Sequence, residues 1–253
     1  MKFSELNKVI LVEGINDTGI FKALFLAGLP GSGKSTIAKK LLMHCRAHPR
    51  IIDFDRFYEY VSKKAGVNIG PNAKPEETKP LLTRAEHLTR EQLTYYVHGM
   101  LPMIIDGTSE NPTAMLNRID LLYSIGYDIG MLWIRKDLET SLTRAASRER
   151  YVKPEYIEQV AHNEDKNIQY LSTRIPTQGG GPFIVLDANS DISDFDDIVN
   201  QVNDFFTSPI MNPRGNKYFN VIKSSRGKNL SPSVYPDIDT VGTALSKWTS
   251  KTR

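Results

Sequence analysis

The residues that most clearly announce chemistry are Gly28-Leu29-Pro30-Gly31-Ser32-Gly33-Lys34-Ser35-Thr36. The glycines allow backbone conformations closed to other residues, so successive N–H groups can wrap a chain of phosphates. The helix that starts after Gly33 adds the positive end of its dipole. Lys34 would reach the β- and γ-phosphates, and the Ser35 hydroxyl would ligate Mg²⁺. This is a phosphate-binding loop, and it implies ATP or GTP as ligand. Binding alone does not separate transfer from hydrolysis. Two further groups favour transfer. Asp53 and Asp55, in IIDFDRF, stand where a second strand reaches the carboxyl edge of a sheet, and a carboxylate there can accept the proton of an attacking hydroxyl. Asp55 is the candidate base, although either residue would also serve as a helix cap. Arg144 and Arg148, four apart, share one helical face and could fold over the triphosphate as a lid, or form a solvated basic face.

These residues need a frame to hold them. The apolar run Phe21 to Gly28 suits a buried strand, and Ile37, Ala38, Leu41, Leu42 and Cys45 follow at helical spacing. The alternation continues with strands over Arg50 to Phe54, Leu101 to Asp106, Asp128 to Ile134 and Phe183 to Asp187. Helices are expected near Thr83 to His98, Pro112 to Ile125, Leu138 to Arg150 and Pro154 to Leu171, with a last one capped by Ser193 and running to Phe206. Such alternation implies an α/β fold in three layers, the P-loop NTPase arrangement of a parallel sheet flanked by helices. Residues 1–20 are expected as an N-terminal extension, 21–208 as the catalytic domain, and 209–253 as an extended or partly disordered tail. Lys64 to Lys79, rich in Lys, Gly, Asn, Pro and Glu, reads as an exposed loop near the acceptor.

Composition narrows the class. A chain of 253 residues with 40% hydrophobic content can bury one sizeable core. Its 32 basic and 29 acidic side chains give a net charge of only +3, so an anionic partner must be argued locally. The one cysteine, Cys45, excludes an internal disulfide framework, and no apolar run approaches the length of a membrane span. The expectation is a cytoplasmic protein with no membrane association.

Taken together, GLPGSGKS, DFDRF, MIIDGTSENP and RAASRER resemble the zeta-toxin and polynucleotide-kinase branch of the P-loop kinases, over roughly Phe21 to Leu171. The resemblance implies a kinase that uses Mg-nucleotide, with Asp55 as general base and Asp53 assisting or structural. Asp106 and Thr108 would orient the acceptor or the metal shell, and Arg144, Arg148 and Arg150 would be the lid arginines. Zeta toxins carry glutamate where Asp106 stands, which loosens the likeness to their nucleotide-sugar site. Asp237, Asp239 and Val241 echo the phosphatase motif of bifunctional polynucleotide kinases, but only twelve residues follow Val241. Ile10 to Glu13 is similar to the cleavable capsid-targeting peptides of tailed phages, which would imply a virion partner. An ordinary N-terminal helix or edge strand accounts for the same residues.

The acceptor stays open between a nucleotide sugar, a nucleoside, another small molecule and a nucleic-acid hydroxyl. Lys63, Lys64, Arg84 and Arg90, or tail residues such as Arg214 and Lys217, would suit an anionic one or simply be solvated. The alternative function is a nucleotide-dependent ATPase or switch with no phosphoryl acceptor.

Overall fold

Strand β1, Lys22–Gly28, is buried along its whole length, as a central strand covered on both faces must be. The computed structural model describes residues 18–107, 112–148, 150–189, 195–224 and 238–248. In it β1 lies between β3, Met103–Asp106, and β4, Asp128–Arg135; β2, Arg50–Asp53, and β5, Gly180–Asp187, complete a parallel sheet of order β2-β3-β1-β4-β5. The helices, in chain order, are α1 Lys34–His44, α2 Phe54–Ala65, α3 Pro75–His98, α4 Pro112–Ile125, α5 Leu138–Ala146, α6 Pro154–His162, α7 Glu164–Arg174, α8 Phe195–Thr207, α9 Pro213–Ser224 and α10 Ile238–Ala244.

Alternation along β1 divides the core. Leu24 and Leu26 face Ile37, Ala38 and Leu41 of α1 and Val202 and Phe206 of α8. Ala23, Phe25 and Ala27 face Leu93 and Val97 of α3, Met115, Ile119 and Leu122 of α4, and Leu171 of α7. Helices therefore cover both faces, giving the expected three layers. Because all five strands run parallel, their carboxyl ends share one edge, where β1 and β3 deliver Gly28 and Asp106.

Several elements differ from the sequence expectation. The stretch Lys64 to Lys79 holds a shorter loop than expected, residues 66–74, because α2 runs to Ala65 and α3 begins at Pro75. Proline at the first helical position, followed by Glu76 and Glu77, starts a helix well even in a polar, Pro-rich context. The expected helix from Leu138 to Arg150 stops at Ala146, and the one from Pro154 to Leu171 is two helices that meet at Asn163. A Cβ on Gly181 would lie 2.5 Å from the Ile129 carbonyl oxygen, so glycine lets β5 start hard against β4.

The stretch after Ser208, expected as an extended or partly disordered tail, carries two helices. Asp128 accepts hydrogen bonds from the Met211 and Asn212 amides at 2.8 and 2.7 Å, and the Asn212 side chain caps α9 by accepting from Arg214 N and Gly215 N. Past α10, Leu245 and Trp248 are buried beside α3 and α4, with the Trp248 ring stacked on Phe25. Residues 1–17, with the peptide ending at Glu13, lie outside the described residues, as do Thr108 and Ser193. No described helix is long and apolar enough to cross a membrane.

Candidate active site

The loop between β1 and α1 is built by close backbone approaches. A Cβ on Gly28 would lie 2.3 Å from the Ile134 carbonyl oxygen, and one on Gly31 would lie 2.2 Å from that of Ser141. Both residues also take positive φ, 135° and 87°, so side chains are excluded twice over. Gly33, at φ 99°, is different: its open side faces Arg144, whose Nη1 would be 3.8 Å from a Cβ there. Leu29, Pro30 and Ser32 are buried in the loop, whereas Thr36 is exposed on α1. No side chain caps the amino end of α1, which leaves that end facing the loop for an anion.

Lys34 is buried, and its Nζ donates to the carbonyl oxygens of Gly28 and Leu29 at 2.9 and 2.8 Å. Burial lowers its pKa; Asp106 and Asp55 oppose that, and Arg148 and Arg150 add to it. The Ser35 hydroxyl donates to Asp106 Oδ2 at 3.0 Å. Asp106 ends β3 in register with Asp53 at the end of β2, so neighbouring strands present two carboxyl groups to one edge. Burial pushes Asp106 up to about 6, with the Asp53 charge adding to the rise and Lys34 and the Ser35 hydrogen bond restraining it. Asp53 is also raised, by burial first and by Asp55 second, and its side chain caps α2 by accepting from the Arg56 amide at 3.2 Å.

Asp55 is therefore not the last residue of a strand but lies in the first turn of α2. There it is 37% exposed and ion-paired with Arg150. The segment bearing Arg150 folds back over this side of the molecule, since Tyr151 N donates to Ile69 O at 3.1 Å. Arg148 and Arg144 are not on one continuous helical face, because α5 has ended between them. Arg144 stays by Gly33, and Arg148 joins Ser35, Asp53, Asp55 and Asp106 around a cleft of about 590 Å³.

The same cleft takes Arg56, Glu59 and Lys39, which the sequence reading did not single out. Glu59 is four residues after Asp55 on α2, so the spacing held the signal but the helix had not been recognised. Among the described residues no three acidic, histidine or cysteine groups form a metal cage. The Ser35 hydroxyl beside the Asp106 carboxylate does suit Mg²⁺, which takes few protein ligands and completes its shell with phosphate oxygens and water.

The zeta-toxin family model matches residues 17–191. A candidate kinase from Chloroflexus aurantiacus J-10-fl superposes with a TM-score of 0.52 at 15% identity, covering 73% of this chain and 98% of its own. Deoxyadenosine kinase from M. mycoides with bound dATP gives 0.43 at 20% identity, covering 71% and 98%. The PezAT toxin–antitoxin system of Streptococcus pneumoniae gives 0.44 at 16%, covering 87% and 93%. No curated protein matches the sequence. With the nucleotide loop, the parallel sheet and a family match over most of its length, the chain belongs to the zeta-toxin family of P-loop phosphotransferases.

Proposed function

We propose that the protein transfers the γ-phosphate of ATP or GTP to a hydroxyl group of a small molecule, such as a nucleotide sugar or nucleoside, or of a nucleic acid. The observation that supports this most is the convergence of Ser35, Asp53, Asp55, Asp106 and Arg148 on one cleft beside the phosphate loop. The loop N–H groups and the amino end of α1 bind the triphosphate, and Lys34 exchanges its carbonyl partners for β- and γ-phosphate oxygens. A bound Mg²⁺ would supply positive charge against the triphosphate. Ser35 is the residue that holds it, and Asp106 orients Ser35.

Asp55 accepts the proton of the acceptor hydroxyl as that oxygen bonds to the γ-phosphorus. The bond between the γ-phosphorus and the β–γ bridging oxygen breaks, and its electron pair leaves with the nucleoside diphosphate. Arg144 and Arg148 approach from two sides and offset charge on the transferred group. The pairing of Arg150 with Asp55 brings the segment after α5 onto the carboxylate that receives the proton, so closure and acceptor engagement meet at one residue.

The test is incubation with γ-labelled ATP or GTP and a panel of nucleotide sugars, nucleosides and 5′-hydroxyl oligonucleotides. Label on an acceptor is the expected result. Label found only as inorganic phosphate would overturn the kinase reading in favour of an ATPase or switch.

A further inference from the structure

The chain from α10 onward is packed onto the sheet face that α3 and α4 cover. Val241, Leu245 and Trp248 are buried in that core cluster, and Arg90 of α3 donates through Nη1 to Ser246 O at 3.3 Å. Residues 238–248 thus form a strap over α3 that reaches α4 through Trp248. The strap lies past residue 191, where the zeta-toxin match ends.

Two routes of contact lead from Trp248 to the cleft. Its ring stacks on Phe25 of β1 with centroids 6.3 Å apart, and Phe25 is in register with Ile105, the residue before Asp106 on β3. The Arg118 guanidinium of α4 lies 5.7 Å from the centre of the same ring. A Cβ on Gly107 would already be in ordinary contact with Arg118 Nη1 and Met115 Cε, each at 3.8 Å. Room for at most a methyl group therefore separates the backbone after Asp106 from α4. Asp106 in turn accepts from the Ser35 hydroxyl and lines the cleft.

The joint in the second route is a charge, not an aliphatic contact. Arg118 is buried, its Nε and Nη2 have no hydrogen-bond partner among the described residues, and Glu86 of α3 is the charge that attracts it. An apolar side chain would fill the same place without desolvating a cation. A guanidinium beside an indole is held by the field of the ring as well as by its area, so the ring fixes where the fork stands. Without that ring the cation loses its compensation and must shift toward water, and the backbone at Gly107 loses its backing.

We infer that Trp248 and Arg118 are positioning residues for the acceptor side of the cleft: the strap holds the Arg118 guanidinium and Phe25, and these hold the end of β3 from which Asp106 meets Ser35. The inference rests on the kinase reading for what that edge does, so local motion is measured as well as transfer.

In the full-length protein, Trp248→Leu is compared with the parent by hydrogen exchange, nucleotide affinity and single-turnover transfer of labelled γ-phosphate at saturating nucleotide. Exchange should accelerate selectively over residues 103–107 and 112–118, relative to α8 on the other face of the sheet. Transfer should fall about 2–30-fold, with nucleotide affinity held within about twofold. Trp248→Phe keeps a ring face for the guanidinium and should transfer within about twofold of the parent. Arg118→Met should reproduce the loss, and in the double variant the two effects should not add, because they break one chain of contacts.

Equal acceleration of exchange on both faces would reduce Trp248 to general support of the core and overturn the inference. So would transfer at the parental rate per folded molecule, additive effects of the two substitutions, or Trp248→Phe as impaired as Trp248→Leu. If Trp248→Leu does not fold, Arg118→Met carries the same three readouts and is overturned by the same exchange and transfer outcomes. Absence of transfer in the parent would remove the kinase reading, and the exchange pattern alone would then decide the positioning role.

Discussion

Two charge clusters stand at opposite edges of the same sheet. At the amino end, Lys22 of β1 and Asp128 of β4 pair at 2.8 Å, each side chain 1% exposed. Their remaining valences are met: Lys22 also donates to Ser208 Oγ and Pro209 O, and Asp128 accepts from the Met211 and Asn212 amides. At the carboxyl end, Asp106 has the Ser35 hydroxyl and shares the edge with Asp53, and its pKa is driven up to about 6. The saturated cluster fastens the chain after Ser208 to the sheet. The perturbed one surrounds the phosphate loop, which is where unmet electrostatic demand marks a site for ligand.

The comparison makes unequal demands on the two ends. Asp128→Ala leaves Lys22 buried and unpaired and is expected to cost about 3–5 kcal/mol of stability, with the kinetics of the folded fraction unchanged. Chemical denaturation checks it, and a loss below about 1 kcal/mol would break the contrast. Asp106→Asn should act the other way, lowering transfer about 10–100-fold at neutral pH while the chain stays folded. In the parent, transfer should rise as pH rises through about 6, where Asp106 ionises, and the substitution should flatten that limb in a pH–rate profile.

Stability gives the same residue a second signature. Its folded pKa exceeds the ordinary value of 3.8, so the stability it contributes is full below that value and is lost as pH rises through about 6. The full difference is about 3 kcal/mol, of which about 1 kcal/mol falls between pH 5 and pH 7, and melts at those two values should show that smaller change in the parent and much less of it in Asp106→Asn. The smallest effect is expected at Asp165, 84% exposed and paired with Arg135 at 2.6 Å, where Asp165→Ala should change stability by less than about 1 kcal/mol.

The two ends also differ in how far they could be read from sequence. The phosphate loop is local: its glycines, Lys34 and Ser35 fall within eight residues, after an apolar run that could only be a central strand. Asp53 and Asp106 were legible for the same reason, each closing a short strand of apolar residues. Asp55 was legible as a carboxylate and as a helix-cap residue, but the strand was expected to reach Phe54, where the helix already begins. The amino-end cluster had no local signal. Lys22 and Asp128 are 106 residues apart and bind backbone near Asn212, so nothing before folding showed that the chain after Ser208 would be held.

The central claim is that the carboxyl end of the sheet moves a phosphoryl group to a hydroxyl with Asp55 as base. Single-turnover transfer of labelled γ-phosphate by the parent and by Asp55→Asn, each with bound nucleotide quantified, tests it most directly. The expected result is a fall of about 10²–10⁴-fold in transfer with nucleotide affinity held within about twofold. Transfer at the parental rate in Asp55→Asn would contradict the account.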